Sequence, residues 1–276
     1  MTPLLATSDL RLRYPGRGLR LTGPEVLRGI SLEIAPGETV GLVGESGSGK
    51  TTLGRAVLGL AVPTSGTISF DGRDITHLTP KQRRPLARDL QVIFQDPYTS
   101  LNPVMQIADI LAEPLIAQGS SANDARNAIS RLLDLVGLPA DSARRYPREF
   151  SGGQRQRIAI ARALALEPRL IVCDEPVSAL DLTTQAKVLD LLIDIQRHTG
   201  VSYLFITHDL SVVRHISHRV AVMYQGELVE TGPTAQVTTH PQHEYTQSLL
   251  LAAPTADPDR QRERRELRRQ LRAAAR

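Results

Sequence analysis

"VGLVGESGSGKTTLGRAVLGL", residues 40–60, decides how the rest of the chain is read. Val40 to Val43 form a short buried-strand pattern, and the residues after Lys50 have helical spacing. Between them, Gly44-Glu45-Ser46-Gly47-Ser48-Gly49-Lys50-Thr51 fits G-x-x-x-x-G-K-[ST] in the strand–loop–helix context that motif requires. Glycines let the backbone wrap a polyphosphate so that successive N–H groups face its oxygens. The start of the following helix adds the positive end of its dipole. Lys50 supplies a compact charge for the β and γ phosphates, and the Thr51 hydroxyl suits Mg²⁺. The chain holds only three lysines against thirty arginines, so a lysine here is not background composition.

Outward from this loop the pattern alternates strands with helices. "VLRGISLEIAPGET" before it alternates apolar and polar residues and turns at Pro36-Gly37. "GTISFDGRDI" and "RVAVMYQGELVETG" read as hairpins, and "LQVIFQDP", "LIVCDEP" and "SYLFITHD" as buried strands. This alternation predicts an α/β fold with a largely parallel central sheet covered on both faces. From about 97 to 165 the pattern is helical, which predicts a helical subdomain inserted into the sheet fold. Within it, Ser121-x-x-Asp124 reads as a capping box for a helix striped by Ala125, Ile129, Leu132, Leu133 and Val136.

A phosphate loop needs a carboxylate at the end of a neighbouring strand. Asp174 follows four apolar residues and is expected to hold Mg²⁺ through water. Adjacent Glu175 points elsewhere and is expected to polarise the attacking water as general base. Gln95 and His208 end two further strands on the same, C-terminal edge, where ligands of such sheets collect. Each alone would be an ordinary polar cap. Four strand ends converging on one edge favour function, with Gln95 ligating Mg²⁺ or orienting water and His208 donating to the γ-phosphate. Tyr14 is a candidate to stack on adenine.

A second glycine loop, "FSGGQRQRIAIARA" at 150–163, opens a helix. Ser151 can cap it and the two glycines bare its first amides, which builds another anion site. One nucleotide cannot easily use both loops of one chain. The residues leave two options: an empty cap, or a site for a phosphate bound by another subunit.

The remaining composition bounds the class. At 276 residues, with 41% hydrophobic and 22% charged residues, the chain is long enough for one large domain or two modest ones. No apolar run reaches the eighteen or so residues that span a bilayer. The N-terminal "MTPLLATSDLRLRY" lacks the pattern of a secretory signal, and the lone Cys173 allows no internal disulfide, so a cytosolic setting is expected. The net charge is +4, but residues 260–276 hold eight Arg and two Glu, while the rest has 25 basic and 27 acidic residues. This basic tail reads as a solvated helix or as a contact for anionic lipid. Nucleic-acid binding is not expected, since no aromatic interleaves the arginines.

"GESGSGKT", "FSGGQ", "CDEP", "SALD" and "ITHD", in this order, resemble the ATP-binding subunit of an ABC transporter over roughly residues 5–250. "QVIFQDPYTSLNP", "DEPVSALD" and "HPQHEYTQSLLLAAP" are similar to motifs of its oligopeptide, dipeptide and nickel importer branch. The resemblance implies a P-loop NTPase with an antiparallel N-terminal β subdomain, one ATPase domain over 1–250 and a C-terminal extension over 251–276. It implies ATP and Mg²⁺ as ligands, with Tyr14, Gly44 through Thr52 (Ser46, Gly47 and Ser48 among them), Gln95 and His208 around the nucleotide. Thr51, Gln95 and Asp174 would serve Mg²⁺, and Glu175, His208 and Gln95 catalysis. Ser151, Gly152, Gly153, Gln154 and Asp181 would face the ATP of a second subunit, head to tail. Implied partners are a second, non-identical ATPase subunit, two membrane permeases and, indirectly, an extracytoplasmic solute-binding protein. The implied location is the cytoplasmic face of the membrane, as a peripheral subunit of a peptide-type importer. The alternative is a non-transport ATPase docked on a soluble enzyme complex, similar to that of carbon–phosphorus lyase.

Overall fold

A computed structural model describes residues 2–15 and 22–252. The expected linker at 254–260 and the Arg-rich tail lie outside the described residues. Two sheets carry the strands. The first is antiparallel, in the order β2 (Thr22–Ile34), β1 (Leu5–Pro15), β4 (Ser65–Phe70), β5 (Arg73–Asp74). The second runs β10 (Glu227–Pro233), β9 (Arg219–Tyr224), β3 (Thr39–Val43), β8 (Ser202–Thr207), β7 (Leu170–Asp174), β6 (Leu90–Ile93). Its five strands from β9 to β6 are parallel, and β10 returns antiparallel along β9.

The turn at Pro36-Gly37 does not fold β2 back onto β3. The two strands belong to different sheets, so the turn carries the chain from one layer to the other. β3 therefore enters the centre of the parallel sheet and aims the glycine loop at its C-terminal edge.

The helices are α1 (Lys50–Leu58), α2 (Pro80–Arg83), α3 (Pro97–Ser100), α4 (Ile107–Ala117) and α5 (Ala122–Leu135), then α6 (Gly152–Leu164), α7 (Leu182–Thr199), α8 (Leu210–Ile216), α9 (Thr234–Thr239) and α10 (Glu244–Ala252). Side-chain alternation along β7 and β8 sorts the core into layers. Leu170, Val172, Leu204 and Ile206 pack with Leu53, Ala56 and Val57 of α1 and with the antiparallel sheet. Ile171, Cys173, Tyr203 and Phe205 pack with α4 to α7 on the other face. Both faces are covered, which is why these strands read as unbroken apolar runs. Complete burial of each such side chain contributes about 1.5–3 kcal/mol, so this double-sided core anchors the edge where the polar residues sit. Burial also raises the Cys173 thiol far above its ordinary value, leaving it inert.

The helices of 97–164 lie between β6 and β7, yet Leu111, Leu133, Phe150 and Ile158 share one continuous core with Ile171 and Cys173 of the sheet. The capping box at α5 forms in half: Ser121 Oγ accepts from the Asp124 amide (3.1 Å) but donates to the Asp124 carboxylate (2.7 Å). α10 runs from Glu244 to Ala252, so the boundary expected at 250 falls inside a helix. Among the described residues, no helix is long and apolar enough to cross a membrane.

Candidate functional site

Adjacent strands of the parallel sheet, β3, β8, β7 and β6, deliver the site residues side by side. Register aligns Val43 with Thr207, Asp174 with Ile206 and Ile93 with Cys173. The glycine loop follows β3, His208 follows β8 and Asp174 ends β7. Gln95 lies two residues beyond the last residue of β6, not at the strand end the sequence suggests. The intervening Phe94 and the start of α3 carry it out over the edge.

Lys50 is nearly buried, and its Nζ donates to Gly44 O (2.7 Å), Glu45 O (2.8 Å) and, at 3.5 Å, Ser48 Oγ. Desolvation lowers its pKa, opposed by the charges of Glu175, Asp174 and Glu45. The ammonium is thus folded back on the loop that a phosphate would fill. Beside it, Thr51 Oγ1 donates to Asp174 Oδ1 at 3.0 Å. Burial raises the Asp174 pKa, and the Thr51 hydrogen bond only partly offsets it. A half-buried hydroxyl–carboxylate pair is an oxygen donor set that fits Mg²⁺, whose other positions would go to phosphate and water. A cavity of about 430 Å³ opens beside this pair and reaches Gln95, Arg55 and Arg162.

Glu175 Oε2 is the meeting point of the edge. His208 Nδ1 lies 3.2 Å from it and Gln95 Nε2 3.4 Å from it. Its backbone holds a left-handed φ of 49°, rare outside glycine, fixed by its amide donating to Ile206 O at 2.9 Å. Such strain costs on the order of 1–3 kcal/mol and gathers at functional sites. Here it turns the carboxylate of Glu175 away from that of Asp174, so two adjacent acids face different neighbours. Tyr14 stands at the end of β1 with its Oη 3.4 Å from Thr52 Oγ1, on the flank of α1.

The second glycine loop is separate. Ser151 Oγ accepts from the Gln154 amide (3.3 Å) and Gln154 Oε1 accepts from the Ser151 amide (3.0 Å), a complete capping box. That leaves the Gly152 and Gly153 amides without an intrahelical acceptor. Gly153 is a packing glycine: a Cβ there would stand 2.3 Å from Thr184 Cγ2 of α7. Asp181 caps α7 by accepting from the Thr184 amide at 3.0 Å, which sets it alongside this loop. Among the described residues, no hydrogen bond joins Ser151, Gly152, Gly153, Gln154 or Asp181 to the first loop.

Two arginines that the sequence reading did not single out tie the Gln95 segment to α6. The Arg155 guanidinium lies 4.2 Å from the Tyr98 ring centre, and Arg162 Nη1 donates to Ser100 O at 2.5 Å. Their i, i+7 spacing in "QRQRIAIARA" marks one helix face and was the available signal. Tyr245 Oη accepts from the Glu45 amide at 2.8 Å, a contact that no local pattern signals.

A glycine loop between a central parallel strand and a helix, with a hydroxyl–carboxylate pair and a second acid beside it, defines a P-loop nucleotide-binding protein. The family model for the ABC transporter matches residues 27–178, more than half of the sequence, and the chain belongs to that family. It is 50% identical over 265 residues to the oligopeptide transport ATP-binding protein OppD of Mycobacterium tuberculosis, covering 92% of this chain. It is 51% identical over 270 residues to the glutathione import ATP-binding protein GsiA of Escherichia coli, covering 96% of this chain. The chain spans 43% of the length of each of these two relatives. Among solved structures it is similar to cbiO1 of Clostridium perfringens, part of the ABC transporter complex cbiONQ. That match has a TM-score of 0.77 and 26% identity, over 87% of this chain and 92% of that one. It also resembles the dimeric ATP-binding cassette MJ0796 bound to ADP and Pi. Here the TM-score is 0.74 and the identity 29%, over 83% of this chain and 98% of that one.

Proposed function

We propose that the chain is the ATP-hydrolysing subunit of an importer for peptides or a related small solute. The observation that carries the reaction is the convergence of the glycine loop, Asp174, Glu175, Gln95 and His208 on one sheet edge. Lys50 exchanges its carbonyl partners for the β and γ phosphates, and Tyr14 offers its ring to adenine. Thr51 and Asp174, with Gln95, would hold Mg²⁺, which would supply positive charge to neutralise the phosphates. Glu175 Oε2 accepts a proton from the water that attacks the γ-phosphorus, while the bond to the β–γ bridging oxygen breaks and ADP leaves. Gln95 and His208 bracket that carboxylate, and His208 also faces the γ-phosphate.

Ser151, Gly152, Gly153, Gln154 and Asp181 serve the nucleotide of a second ATPase subunit. Their separation from this chain's own first loop supports that reading. The working unit is then two cassettes with two membrane permeases, fed by a solute-binding protein, and this chain sits peripherally on the cytoplasmic face. Its organisation is one ATPase domain carrying the helical insert of about 97–165, followed by the C-terminal extension.

Identity of half the residues to proteins named for oligopeptide transport and glutathione import supports import over docking on a soluble enzyme complex. The test is reconstitution with the permeases in vesicles. Labelled peptides should accumulate only with Mg-ATP inside the ATPase compartment. Phosphate release without uptake of any peptide would remove the importer reading.

A further inference from the structure

The Gly44–Glu45 peptide unit at the root of the first loop is gripped from both ends. Its carbonyl, Gly44 O, accepts from Lys50 Nζ at 2.7 Å. Its amide, Glu45 N–H, donates to Tyr245 Oη at 2.8 Å, across 200 residues of sequence. The two grips differ in where they come from. Lys50, inside the loop, is the group a phosphate would compete for, whereas the Glu45 amide is held by a phenol from the C-terminal helix.

Tyr245 is itself firmly set. Its ring packs on that of Tyr224 with centres 4.2 Å apart. The amides of Gln242 and His243 donate to the Glu230 carboxylate at 2.9 and 3.1 Å, and His243 Nδ1 accepts from the Tyr245 amide at 3.1 Å. Leu249 and Leu250 of α10 pack on the cluster holding Val43, the residue that leads into Gly44. The β9–β10 turn adds to this outer wall, where the Gly226 amide donates to Ser48 O at 3.0 Å. A Cβ at position 44 would stand 2.1 Å from Met223 O, so this wall fits closely against the loop.

We propose that Tyr245 is a positioning residue for the P-loop. Its phenol oxygen keeps the Glu45 amide turned outward when nucleotide draws Lys50 off the Gly44 carbonyl, so nucleotide affinity depends on the seating of α10. This rests on the nucleotide-binding reading of the first loop and extends it to the C-terminal helix. Burial raises the phenol's pKa, so the group at Glu45 is the neutral phenol.

Tyr245→Phe removes the acceptor and keeps the ring. One net hydrogen bond corresponds to about a two- to twelvefold change in an equilibrium. ATP and ADP should therefore each bind two- to twelvefold more weakly to the full chain in calorimetric titration with Mg²⁺. In the assembled complex KM for ATP should rise with kcat nearly constant, and the thermal midpoint of the nucleotide-free protein should stay close to wild type. Tyr245→Ala, which also loses the ring contact, should weaken binding further and lower that midpoint. Unchanged affinity in Tyr245→Phe would overturn the proposal, and so would a parallel fall of kcat and thermal midpoint, which marks packing alone. Failure of the wild-type chain to bind ATP would instead strike the P-loop reading itself.

Discussion

The two glycine loops of this chain look alike in sequence and differ in how their polar groups are satisfied. The first is closed on itself: Lys50 rests on its own loop, Thr51 on Asp174, and Glu175 on Gln95 and His208. The second caps its helix internally and leaves the Gly152 and Gly153 amides without an intrahelical acceptor. A loop whose charges are already paired within the chain can be filled by a ligand that exchanges those partners. A loop that pairs nothing beyond its own cap needs a ligand delivered from outside. The difference matches the proposed arrangement of one nucleotide per loop, one held by this chain and one presented by a partner.

The strongest way to break this comparison is to disable the first loop's chemistry while leaving its binding intact. Glu175→Gln should cut turnover on the order of a hundred- to ten-thousand-fold while ATP still binds; phosphate-release kinetics with nucleotide occupancy would check it. Turnover within tenfold of wild type would place the base elsewhere.

Ser151→Arg should cost turnover of the assembled complex on the order of a hundredfold, the scale of losing a donor to transition-state charge. ATP affinity of the isolated chain should hardly change. If that affinity collapsed, both loops would serve one ligand and the contrast between them would vanish.

Lys50→Ala should weaken ATP binding by roughly ten- to a hundredfold, the worth of a hydrogen bond to a charged group, as read in a titration at fixed salt and Mg²⁺. Nucleotide affinity equal to wild type would remove the lysine from the site.

The smallest effect sharpens the picture of the first loop as a place of stored cost. The folded-state pKa of Asp174 is raised, chiefly by burial. A raised carboxylate stabilises the fold below its unfolded pKa, and that contribution is lost as pH rises through the folded value. Nucleotide-free wild type should therefore gain thermal stability from this group as pH falls through that raised value toward the ordinary carboxylate range. Asp174→Asn should remove this pH dependence and raise the midpoint at neutral pH by up to about 4 °C. A drop in the midpoint would mean that the carboxylate is stabilising where it stands.

Much of the site was legible because its residues lie at strand ends, where alternation and glycine punctuation are local signals. Asp174, Glu175 and His208 sit where the periodicity of β7 and β8 ends, and Lys50 and Thr51 open α1 after the glycine loop that follows β3. Gln95 was misplaced by two residues because "FQ" continues the apolar pattern although the ladder with β7 stops at Ile93. The turn at Pro36-Gly37 was visible, but not that it joins two sheets, since pairing partners are chosen across space. The Arg155 and Arg162 ties had a helical spacing to betray them. Tyr245 on Glu45 had none.

The sequence by itself determined the candidate chemistry: a phosphate-loop motif, two adjacent acids at a strand end proposed as metal-side acid and base, and a second glycine loop opening a helix. These follow from local backbone conformation, glycine placement and strand periodicity, all short-range along the chain. Tertiary structure alone decided which groups touch. It set Glu175 in a left-handed turn between Gln95 and His208, pressed Gly153 against Thr184, and brought Tyr245 to the root of the P-loop. Those contacts join residues 31 to 200 positions apart, and the closest of them leaves no room for a Cβ at Gly153. They are fixed by sheet register and core packing, which no single stretch of the chain encodes.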